Sequence, residues 1–116
     1  MPRQQEPSPG DDRSEAIALP FSPDSVRQVL QWGLASDAPY THEDIATWCE
    51  RFWSKYMDKD APHEIERVLP FLAEVDAQWD LHLANTYTFE ELIVLDLSQV
   101  RLPKAWFVDW LRTLDA

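Results

Sequence analysis

The side chains best able to do chemistry in this chain are three histidines, a single cysteine and 21 acidic residues. Metal ligation is the first chemistry to consider. His42-Glu43 and His63-Glu64 each begin as a zinc-binding helix would, yet neither has a second histidine four positions on. A site built from His42, His63, His82 and Cys49 would need four separate segments to converge, so no metal is expected. Cys49 falls among aromatic residues on an apolar stripe, where a thiolate is desolvated and a poor nucleophile. Nucleophile elbows, phosphate loops and other phosphate cradles all need glycines, and the chain has two. These patterns give no catalytic residue and no cofactor, and they argue against an enzyme.

Two carboxylates depart from the polar pattern around them. With Ile65 at 0°, Asp76 lies at about 20° on its helix, within the arc of Leu69, Leu72, Trp79 and Leu83. Asp96 falls similarly among Phe89, Leu92 and Ile93. A charge on an apolar stripe has to be paired, hydrogen-bonded or displayed at a site. The expected arrangement has Asp76 accepting from a Trp indole, a Tyr hydroxyl or Arg101, and Asp96 capping the turn before Ser98. The alternative makes Asp76 or Asp96 the polar group of an apolar pocket between helices, as in a small enzyme or ligand carrier.

The net charge of −11 is concentrated, because residues 61–100 hold Arg67 alone against eight acids. Such a field repels phosphate backbones and disfavours direct nucleic-acid binding. It suits a protein partner with a basic surface, so a non-enzymatic interaction module is expected: a regulator, an assembly factor or an inhibitor of the immunity type. Glu64, Glu66, Glu74, Glu90 and Glu91 are the expected contact acids, since no local base neutralises them. Trp32 and Phe71 flank their helices' apolar arcs and are the expected aromatic anchors.

Helices must position these groups. The stretch Thr41–Asp58 carries Ile45, Trp48, Cys49, Phe52, Trp53 and Tyr56 at helical spacing, and four of the six are aromatic. Thr41 caps it, with Asp44 completing a capping box. Before it, Ser22-Pro23-Asp24 starts a helix reaching about Ala35, with Val26, Val29, Leu30 and Leu34 on its stripe. Gly33 shares that stripe and would let another helix come close. After it, Asp60-Ala61-Pro62 starts a third helix to about Asn85, which Pro70 either kinks or divides in two. Thr88 and Glu91 form a second capping box opening a helix with Phe89, Leu92, Ile93 and Leu97 inward. Residues 92–97 alone would also suit a buried strand. Leu102-Pro103 opens the last helix, bearing Trp106, Phe107, Trp110, Leu111 and Leu114.

Residues 1–20 are rich in Pro, Gln, Ser and charge, and are expected to form a flexible, disordered tail. Residues 21–116 then make one domain, with too few glycines for an all-β fold. The fold expected is all-α: an irregular bundle of about five helices around Thr41–Asp58. The lone cysteine gives no disulfide, and no apolar run is long enough for a secretory leader or a membrane span. A cytoplasmic location is the expectation.

Overall fold

The computed structural model describes residues 17–115. These residues are all-helical: α1 (Pro23–Leu34), α2 (His42–Tyr56), α3 (His63–Thr86), α4 (Phe89–Val94) and α5 (Lys104–Leu114), with a 3-10 turn at Leu97–Gln99 before α5. The starts are set by local bonds. The Ser22 hydroxyl accepts the Ser25 N–H at 3.3 Å. In α2 the Thr41 hydroxyl accepts the Asp44 N–H and the Asp44 carboxylate accepts the Thr41 N–H, both at 3.0 Å. Thr88 and Glu91 exchange the same pair of bonds at 3.1 and 2.8 Å. Each cap satisfies amides that a helix leaves open and is worth about 1 kcal/mol.

Pro70 does not divide the third helix, which runs unbroken through it. A proline within a helix costs about 3 kcal/mol. Ile65 and Val68 before it, and Leu72, Val75 and Trp79 after it, are all buried on one stripe. At about 1.5–3 kcal/mol each, their burial outweighs the lost bond. Residues 92–97 settle as the end of α4 and the start of the 3-10 turn, and no strand occurs among the described residues.

Two helix pairs dominate the packing, α2 against α3 and α1 against α5. The aromatic helix is therefore one half of a pair that also touches α1, rather than a hub for every element. Gly33 lets α1 and α5 meet: a Cβ there would run into the ring of the fully buried Phe107. His42 ties three segments beside this contact. Its Nε2 lies 3.0 Å from the Gly33 carbonyl, and its Nδ1 accepts the Leu102 N–H at 2.7 Å. A carbonyl only accepts, so the proton sits on Nε2 and the ring is neutral. Burial is the main cause that lowers the His42 pKa to about 4, with the charge of Arg101 adding to it and the Gly33 bond opposing.

Three expectations need correction. The folded body begins before residue 21: Ile17 is buried, and the Trp48 indole donates to the Leu19 carbonyl at 3.3 Å. Residues 1–16 of the expected tail lie outside the described residues. Trp53 is half-buried at the rim of the core, whereas its neighbour Phe52 is fully buried. Phe89 and Ile93, expected inward, are 75 % and 67 % exposed. The cause is length. Six residues give less than two turns, and α4 makes no extensive contact with another of the described helices to cover them.

Candidate interaction surface

A cavity of about 300 Å³, open to solvent, separates α3 from α5. Phe71, Glu74 and Gln78 form its α3 wall, and their i, i+3, i+7 spacing sets them along one stripe beside the buried face. Trp106, Asp109, Trp110 and Thr113 form the α5 wall on a matching stripe. Packing fixes the aromatic part of the lining. Trp110 is buried with its ring edge-on to Phe107 at 5.2 Å, and Trp106 lies 6.4 Å from Trp110 and 5.9 Å from the His82 ring. Arg112 pairs with Asp109 at 2.9 Å. Among the described residues Glu74 forms no ion pair, so it is the lining's uncompensated charge.

A second feature lies on α4. Phe89, Ile93 and Val94 are 75, 67 and 82 % exposed, the most exposed large apolar side chains among the described residues. Phe89 and Ile93 are one helical turn apart and share a face. Glu90 and Glu91 lie beside them in the first turn, where acids also favour the helix dipole. Between Arg67 and Arg101 the chain has no Lys or Arg at all. An apolar face set in an acidic field results.

The expected contact residues divide between these places. Phe71 and Glu74 meet in the α3–α5 cavity. Glu90 and Glu91 flank the α4 face, although the Glu91 carboxylate also serves its cap. Glu64 and Glu66 are exposed in the first turn of α3, away from both. Trp32 is half-buried with its ring 4.8 Å from that of Tyr40, covering the edge of the core. The sequence put Trp106 and Trp110 on the apolar face of the last helix, and did not show that they also wall a cavity. The signal was the width of α5's apolar arc, too broad for one neighbouring helix to cover. For α4 the signal was Leu92-Ile93-Val94-Leu95, four consecutive apolar residues that a helix must point in four directions.

The two suspect carboxylates take separate places, and neither lines the α3–α5 cavity. Asp96 caps the 3-10 turn, accepting the Ser98 N–H at 3.1 Å and the Ser98 hydroxyl at 2.7 Å. Asp76 is half-buried in a depression of about 200 Å³ with Glu50, Trp79 and Asp80. No hydrogen bond from a Trp, a Tyr or Arg101 reaches it among the described residues, contrary to expectation. Burial, then the charges of Asp80 and Glu50, raises its carboxyl above the usual carboxylate range. The Cys49 thiol is fully buried, and burial with the nearby Asp76 charge pushes its pKa far up, leaving it without thiolate character.

Among the described residues, no group of three or more His, Cys, Asp or Glu side chains is arranged to hold a metal ion. No described helix is long and apolar enough to cross a membrane. Compared with known proteins, the chain matches no family model, no curated protein and no solved structure.

Proposed function

We propose that this chain is a non-enzymatic interaction module whose acidic surface binds a partner protein with a basic surface, with the exposed face of α4 at the centre of the contact. One observation carries the reading: Phe89, Ile93 and Val94 stand in solvent on a capped helix, inside a stretch devoid of Lys and Arg. Exposed apolar groups rimmed by charge suit an interface with an apolar centre and a polar rim. Burying Phe89 and Ile93 against a partner contributes about 1–3 kcal/mol each, enough to make them anchors. The glutamates add speed and selectivity for a basic surface more than affinity. A second copy of the chain is a poor occupant, because two faces from a −11 protein repel.

The alternative, an enzyme or ligand carrier polarised by Asp76 or Asp96, lacks support from the geometry. Asp96 is spent on a cap, and Asp76 shares its small depression with two other acids. A cytoplasmic location fits the single buried, unreactive thiol.

The test is comparative capture from the native cell with the wild-type chain and a Phe89→Ser/Ile93→Ser variant. Neither side chain is in the core, so the variant melts within about 2–3 °C of wild type. Loss of a basic protein from the captured set supports the interface. Identical captured sets would remove α4 from it.

A further inference from the structure

We propose that the α3–α5 cavity receives an arginine side chain of the basic partner. The inference deepens the reading above, and rests on that partner being basic. Three aromatic rings, from Phe71, Trp106 and Trp110, stand in the lining. An aromatic face attracts a cation electrostatically, and a guanidinium can also stack flat against it. The lining is not purely aromatic. Glu74, Gln78 and Thr113 add a carboxylate, an amide oxygen and a hydroxyl that accept hydrogen bonds.

That mixture discriminates between cations. A quaternary ammonium has no N–H to donate and would leave these acceptors unpaired while expelling their water. A lysine ammonium keeps three donors at one point, whereas a guanidinium spreads five donors over a plane. The last matches acceptors distributed on two helices, with Glu74 the charged one. Asp109 contributes less, because Arg112 already pairs with it at 2.9 Å. The cavity holds about 300 Å³, at the lower end of small-ligand sites and sufficient for one side chain.

The experiment titrates the full chain with the capped peptide acetyl-Gly-Arg-Gly-amide and follows the indole N–H signals by NMR. The six tryptophans supply both reporters and controls. Trp106 and Trp110 should shift saturably, with a Kd of about 1–10 mM for so small a ligand, while Trp32, Trp48, Trp53 and Trp79 stay in place. The citrulline peptide, neutral and of the same shape, should shift neither. Glu74→Gln, a substitution at an exposed position, should weaken the arginine peptide about fivefold. An equal response to citrulline, tighter binding of a trimethyl-lysine peptide, or indifference to Glu74→Gln would each overturn the assignment. The titration needs no partner, so its failure is distinct from failure of the α4 test, which needs one.

Discussion

Replacing His42 by Gln should change the pH dependence of stability in a direction and size set by its burial. The ring is neutral in the fold, and protonating Nδ1 would destroy the bond it accepts from the Leu102 N–H. The His42 pKa is about 4 in the fold against 6.5 in the open chain. As pH falls below 6.5 the unfolded state takes up the proton and the folded state does not, so stability is lost on acidification until about pH 4. At about 1.4 kcal/mol per unit, wild type should lose about 2 kcal/mol from this residue between about pH 7.5 and pH 5. Asp76 works in the opposite sense, because its raised pKa stabilises the fold as pH falls. The His42→Gln comparison removes that contribution, since both proteins contain Asp76. Glutamine does not titrate, and at neutral pH it should cost about 1–3 kcal/mol through imperfect replacement of the two buried bonds. Urea unfolding followed by tryptophan fluorescence measures both proteins at each pH, staying above the sequence pI of 4.4. The stability difference, wild type minus variant, should fall by about 2 kcal/mol at the lower pH, changing sign if the neutral-pH cost is smaller than that. A gap that stays constant would refute a neutral, buried His42.

Other substitutions test the packing. Gly33→Ala should destabilise by about 1–3 kcal/mol through its clash with the Phe107 ring, and Phe107→Leu in the same chain should recover part of that in a double-mutant cycle. Phe52→Ala should cost about 3–5 kcal/mol, while Trp53→Ala, at the half-buried neighbouring site, should cost distinctly less; equal losses in urea unfolding would put Trp53 in the core. A chain beginning at Ile17 should melt within about 2–3 °C of full length, and one beginning at Ser22 several degrees lower for want of Ile17, Leu19 and Phe21; equal midpoints for the two would mean that residues 17–21 contribute little. Cys49 should resist an alkylating reagent in the native protein and react on denaturation, as mass spectrometry would report.

What could be read from the sequence was local. The capping residues Ser22, Thr41 and Thr88 act within three positions, so their helix starts followed directly from residue type. The stripe of α2 was legible because its apolar spacing matches the helix period, and Gly33 because a missing side chain on a stripe implies a close neighbour. Distant partners were not legible. His42 is held by Gly33 and Leu102, 9 and 60 residues away, and nothing in the local pattern marks it. Phe71 stood out as flanking its stripe and Glu74 as an acid without a local base, but only the pairing of α3 with α5 brings Trp106 and Trp110 opposite them. Phe89 and Ile93 misled for a physical reason. Apolar spacing shows which residues share a face, and only the tertiary fold decides whether anything covers it.

The most direct measurement of the central claim is site-specific photo-crosslinking from position 93 in the native cell, with the same photoreactive residue at exposed Pro62 on the opposite end of α3 as control. Crosslinks from position 93 should identify a protein with a basic surface. Their yield should fall steeply as ionic strength rises from about 0.05 to 0.5 M, and fall again when Glu74 and Glu90 are reversed to Lys. The account is contradicted if position 93 yields no more product than position 62, or if the product is an acidic protein whose capture ignores both salt and charge reversal.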